Sequence, residues 1–265
     1  MFEAYTRWRR RRIIARSTVN AALWRQTLAQ LPFLAGLTAD EEERLRQTVI
    51  LFLHHKSIHG AGGLVLDAAM PLVIAVQACL LIMNLDIDYY AGWVEVIVYP
   101  DEFVPSMEFV DDDGVVHREQ APRAGEAWLQ GPVILSWADV APRGEGDGDG
   151  VNVVIHEFAH KLDMLNGDAN GFPPLHAGMN RREWAAAFAQ AYEDFTRRVE
   201  ADEETLIDPY AVESPAEFFA VMSEAFFELP RVVAAEYPTL YAQLRLFYKQ
   251  DPLARLPVLS QGLIG

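Results

Sequence analysis

The stretch Val151-Asn-Val-Val-Ile-His156-Glu157-Phe-Ala-His160-Lys-Leu-Asp163 is the one around which the rest of the chain is organised. Read as a helix, it places His156 and His160 one turn apart on the same face. Two imidazoles so placed can grip one metal ion, with Glu157 carried beside them. The motif is only five residues long, so its meaning depends on whether the remaining parts of a metal centre occur elsewhere.

At 265 residues and 51% hydrophobic, the chain can bury a substantial core in one domain or two small ones. A net charge of −16 argues against a nucleic-acid-binding surface covering the whole protein. The charge is uneven. Residues 1–16 hold six arginines against Glu3, a net +5, which leaves −21 on the remainder. Ile13, Ile14 and Ala15 are followed at once by Arg16, Ser17 and Thr18, so no signal-peptide core forms and a cytoplasmic protein is expected. Residues 1–16 then read as a solvated, partly disordered basic arm, or else as an attachment to anionic lipid or an acidic partner. The lone cysteine, Cys79, excludes an internal disulfide and sits in an apolar run, as a buried inert thiol would.

Val19, Leu23, Trp24, Leu28 and Leu31 have helical spacing up to Pro32. Thr38 with Glu41 makes a capping-box signature, followed by a helix to about His55 on the stripe Leu45, Val49, Phe52 and Leu53. His54, His55 and His59 cluster near its end, where cations suit the helix dipole without any metal. Ala68 to Leu85 carries no charge. Pro71 shortens that helix, Gln77 and Asn84 interrupt its apolarity and no basic anchor flanks it, so it is expected to lie buried in the core rather than across a membrane.

Trp93–Tyr99 and Pro132–Trp137 read as strands, and residues 107–119 as a hairpin around Asp111-Asp-Asp-Gly114. The strand at 132–137, just before the histidine helix, is expected at a sheet edge where an extended peptide can pair. Arg143–Gly150 resembles a calcium loop, but the twelfth position, normally a bidentate glutamate, falls on His156. A mobile acidic loop is the expectation. Further helices are expected from Asn180 to about Val199, from Ser214 to about Glu228 with Pro230 closing it, and from Pro238 to about Lys249.

Two histidines do not complete a catalytic zinc site, which takes three protein ligands and leaves a position for water. Glu217 is the candidate third ligand, yet at three residues past Ser214 it equally fits a capping box. Glu224, two turns on, is a rival ligand or a partner of one, and Glu213 a weaker rival. Asp163, on the histidine face, either accepts a free ring N–H or is an ordinary solvated helix residue. His176 is not expected to be a ligand.

His156–Asp163, Asn166-Gly, Pro173-Pro-Leu-His176 and Glu217-Phe-Phe-Ala-Val-Met-Ser-Glu224 together resemble the Mlc titration factor A family of zinc peptidases. The stretches Arg10–Arg16, Gly60-Ala-Gly-Gly63 and Val96–Pro100 are similar to that family as well. The resemblance implies a gluzincin site with one zinc per chain held by His156, His160 and Glu217, with Glu157 as general base. It implies Tyr210, seven residues before Glu217, near the metal, as in lethal-factor-type proteases. An oxyanion donor is the role expected of it, against that of an ordinary turn tyrosine. It further implies aminopeptidase-type cleavage of short peptides and binding of the transcriptional repressor Mlc, which controls glucose phosphotransferase genes. A non-catalytic, repressor-sequestering protein with a structural zinc is the alternative. Many gluzincins carry an acid four residues after the ligand glutamate; here that position is Val221.

The expected architecture is α+β, mostly helical, a zincin-like core with a small sheet in a single domain 1–265. Within it, 1–16 is the basic arm, 17–90 a helical part, 91–250 the zincin-like core and 251–265 a tail. Loops 60–63 and 143–150 are candidate lids.

Overall fold

The computed structural model describes residues 2–101, 107–110, 116–119, 125–127, 131–142 and 150–256. The chain opens with α1 (Phe2–Arg16), α2 (Ala21–Ala29) and α3 (Ala39–His55), followed by β1 (Ser57–Gly60) and α4 (Met70–Ile82). A strand-rich stretch holds β2 (Glu95–Tyr99), β3 (Met107–Val110), β4 (Val116–Glu119), β5 (Gly125–Ala127) and β6 (Val133–Ser136). The rest is helical: α5 (Trp137–Val140), α6 (Val153–Asp163), α7 (Arg181–Glu200), α8 (Pro215–Glu228), α9 (Pro230–Glu236), α10 (Pro238–Tyr248) and α11 (Pro252–Arg255).

The helix starts follow their local chemistry. Thr38 and Glu41 form a reciprocal capping box at α3, and Asn20 accepts the N–H groups of Ala22 and Leu23 at α2. In α4 every residue from Leu72 to Ile82 is buried. A helix apolar all round has no solvent face to offer, so it becomes the centre of the core. Among the described residues no helix is long and apolar enough to cross a membrane.

The main sheet runs β1-β2-β6-β5, with the first three strands parallel and β5 antiparallel to β6. Val96 pairs with Val133 and Val98 with Leu135, and all four are fully buried. That alternation gives the sheet one apolar face. Phe158 of α6 meets Phe52, Tyr90 and Trp93 at centroid distances of 5.2–5.7 Å. This aromatic cluster anchors the inner side of α6. A second cluster stacks Trp184 on Phe188 at 4.3 Å, with Phe219 and Phe247 beside them, and fastens α7 and α10 to α8. The helix α6 thus lies between α4, α8 and the sheet.

Three expectations change, and one strand is added. The basic arm is a helix packed on α3, because Arg10 forms ion pairs with Asp86 and Asp88 and Ile13 and Ile14 lie against the core. The strand β6 is interior, since β5 adds to its free side and becomes the edge. Pro230 ends α8 but also opens α9, where a proline's fixed φ suits a first helical turn. The strand β1, unread in the sequence, pairs with β2. The expected hairpin is present as β3 and β4, paired Met107 to Glu119 through Val110 to Val116. The loop 143–149 and the tail from 257 lie outside the described residues.

Candidate metal centre

The geometry begins at Asn152. Its side chain accepts the N–H of Ile155 and caps α6, and the helix then carries His156 and His160 onto one face, ring centroids 4.8 Å apart. Opposite stands the first turn of α8. Ser214 caps that helix by accepting the N–H of Glu217 at 3.1 Å. The Glu217 carboxylate does not return to Ser214. It reaches across to α6 instead, its Oε2 lying 2.9 Å from His156 Nε2 and 3.3 Å from His160 Nε2. Cap and carboxylate use different atoms, so one residue serves both.

The two Nε2 atoms stand 3.2 Å apart, and the three donor atoms all lie within 4.8 Å of one another, a group that could hold a metal ion. Neighbouring donors around a tetrahedral ion such as zinc, bound at about 2.0–2.2 Å, stand about 3.3–3.6 Å apart. The His160–Glu217 spacing sits at the short end of that range, the histidine pair just below it, and the His156–Glu217 spacing a few tenths tighter. Two imidazole nitrogens and a carboxylate oxygen at this separation fit one small divalent cation.

Charges balance through the same contacts. Burial alone would raise the Glu217 pKa, but hydrogen bonds from His156 and His160 overcome it and hold the carboxyl well below the usual range. For His156, burial lowers the pKa, and the pull of Glu224 with the bonds to Glu217 and Glu224 lifts it well above the ordinary histidine value.

Glu157 is buried at 5% exposure in the same helix. Tyr210 lies on a short helical turn at 209–212, its N–H held by Asp208, with its ring centroid 6.1 Å from that of His156 and half its surface exposed. Glu224 approaches His156 from the other side, with Oε1 2.7 Å from Nδ1. Burial raises its pKa against the opposing pull of His156 and Asn152.

Asp163 is buried, but its Oδ2 accepts the N–H groups of Asn170 and Gly171, so it closes the loop after α6. Among the described residues it makes no hydrogen bond to either histidine. His176 bonds the Phe247 carbonyl and the Tyr89 hydroxyl and stands apart from the group. Glu213 is the residue that follows the Tyr210 turn and lies outside the group, as do His54, His55 and His59.

Sequence reading missed Asn152 and Glu228. Asn152 Nδ2 donates to Gln77 Oε1 and to Glu228 Oε1, both at 2.7 Å, tying α6 to α4 and α8. An Asn just before a helical run is an N-cap signal and was available to find it.

A mostly helical α+β chain with this His-His-Glu group is the architecture of a metallopeptidase-family protein. The chain belongs to the glucose-regulated metallo-peptidase M90 family, which its residues 5–249 match. It is similar to the Mlc titration factor A of Cronobacter sakazakii, 38% identical over 246 residues that cover 90% of this chain and 92% of that one. It is likewise 40% identical over 248 residues to the Mlc titration factor A of Salmonella gallinarum, covering 89% and 88%. With that of Klebsiella pneumoniae it shares 38% identity over 234 residues, covering 88% and 87%.

Proposed function

We propose that this chain is a zinc-dependent, zincin-like peptidase that hydrolyses peptide bonds, with aminopeptidase-type action on short peptides. The observation that carries the reading is the convergence of His156, His160 and Glu217 donor atoms at ligand-to-ligand spacing. Those three residues would hold the ion. A zinc ion supplies Lewis acidity there, lowering the pKa of water towards about 7 and polarising the scissile carbonyl.

The protein's own groups do the rest. Glu157, one residue beyond His156 on α6, accepts the proton of the attacking water and hands it to the departing amine. The Tyr210 hydroxyl, on a turn beside His156, donates to the oxyanion as it develops. Its exposure leaves the ring accessible from solvent, where a substrate arrives. The antiparallel edge strand β5, which packs against α6, offers backbone for an extended peptide.

A regulatory role through binding the repressor Mlc is proposed alongside, supported by the name of the similar proteins. The competing reading is a repressor-binding protein whose zinc is structural and does no chemistry. Glu157→Gln separates the two. Peptide cleavage should vanish while zinc content stays near one per chain; cleavage retained in the variant removes the proposed base. Repressor binding that survives in the same variant makes that role independent of catalysis.

A further inference from the structure

Val221 leaves empty the position four residues past Glu217 from which a carboxylate could support the site. The geometry points to Glu224 as the residue that positions His156 for metal binding, holding its ring by Nδ1 and its helix by Asn152. This rests on the metal reading of His156, His160 and Glu217.

Glu224 lies on α8 two turns beyond Glu217, so both project towards α6 from one face. Its two oxygens have different tasks. Oε1 lies 2.7 Å from His156 Nδ1, and Oε2 accepts the backbone N–H of Asn152. A carboxylate only accepts, so Nδ1 gives its hydrogen to Glu224, and the nitrogen left to offer a metal ion its lone pair, once the hydrogen it shares with Glu217 is displaced, is Nε2. That nitrogen is the one that faces Glu217 and His160. A ligand histidine whose other N–H is given to a carboxylate is fixed in tautomer and ring orientation and made more basic.

The second oxygen sets where the ring sits. Asn152 is the residue that caps α6, and its own polar groups are all engaged. The N–H goes to Glu224, the side-chain amide to Gln77 and Glu228, Oδ1 takes Ile155 N–H and the carbonyl takes His156 N–H at 2.9 Å. One buried carboxylate, 3% exposed, therefore locks both the rotation of the imidazole and the first turn of the helix that carries it. His160 has no such support: its Nδ1 is buried with no hydrogen-bond partner among the described residues. The site is thus held asymmetrically, through His156.

A purely structural role for Glu224, clamping the α6 N-terminus, makes a different forecast, and the whole chain can test it. Zinc affinity is measured by chelator competition for the wild type, Glu224→Gln and Glu228→Gln, beside urea unfolding of each metal-free protein. We expect Glu224→Gln to lose about 10- to 100-fold in zinc affinity while still folded. Glu228→Gln, which exchanges a charged acceptor of the same Asn152 network for a neutral one without touching His156, should lose a little stability and keep its zinc affinity. Equal affinity in the wild type and folded Glu224→Gln overturns the positioning role. Nitrogen-15 NMR of the zinc-loaded wild type gives a readout independent of any variant's folding. His156 should show a hydrogen-bonded Nδ1–H and a metal-bound Nε2, and the opposite assignment also overturns the proposal. A wild type that binds no zinc removes the metal centre itself.

Discussion

Ser214 Oγ accepts the backbone N–H of Glu217 at 3.1 Å while the Glu217 carboxylate points away to His156 and His160. The cap fixes the first turn of α8, and the first turn aims the carboxylate. Replacing Ser214 by Ala should lower the unfolding free energy by about 1 kcal/mol. It should also weaken metal binding, because the aiming turn frays. Urea titration of the metal-free protein checks the first effect and chelator competition the second.

Glu217→Ala should leave a folded protein that retains little zinc after dialysis, since two imidazoles alone make an incomplete site. Metal content by elemental analysis reads the outcome. Zinc retained at wild-type affinity would show that a different residue is the third ligand.

Tyr210→Phe removes one hydroxyl from an exposed turn and leaves the metal group untouched. If that hydroxyl meets the oxyanion, kcat should fall by about 10²- to 10³-fold with KM and zinc content little changed. Steady-state kinetics on a short peptide decides it, and an unaltered kcat returns Tyr210 to an ordinary turn residue.

Lys56, between α3 and β1, is buried and donates to the carbonyls of Tyr90 and Trp93, with Nζ 3.6 Å from the centre of the Trp93 ring. Burial, with a smaller push from Lys161, brings its pKa down to about 8. In the unfolded chain the same amine keeps its proton up to about pH 10. Between pH 8 and that value the unfolded state therefore binds a proton that the folded state lacks, and stability rises with pH. Lys56→Met should flatten this rise by up to about 1.4 kcal/mol per pH unit. Equal slopes for the two proteins between pH 8 and 10 would contradict the assignment.

Gly171 has φ +76°, and a Cβ there would meet the Pro215 carbonyl oxygen at 2.4 Å. The loop that follows the histidine helix thus passes directly over the start of the glutamate helix. Gly171→Ala combines a positive φ with a backbone clash and should cost more than about 1 kcal/mol. Thermal unfolding should record a drop in Tm and a parallel loss of zinc affinity, since Glu217 lies two residues beyond Pro215.

Much of this was legible from the chain. The α3 capping box, the all-round burial of α4 and the α6 histidine pair are encoded within one or two turns, where periodicity and capping chemistry act directly. The order of α1 was not, because its partners Asp86 and Asp88 lie about 76 residues away from Arg10. The sheet order was hidden for a similar reason. Short strands report their own burial, and β5 with three residues reports almost nothing about which side of β6 it will take.

The stretch 151–163 by itself determined a helix that presents two imidazoles on one face with a glutamate between them. The stretch from Ser214 determined a capped helix with a glutamate in its first turn. Neither determined that these glutamates and histidines meet. Capping is a side-chain-to-backbone bond within four residues, whereas the direction of the Glu217 and Glu224 carboxylates depends on α8 lying against α6. Only the tertiary structure decided that, through the aromatic packing that seats both helices and the Asn152 bonds that join them.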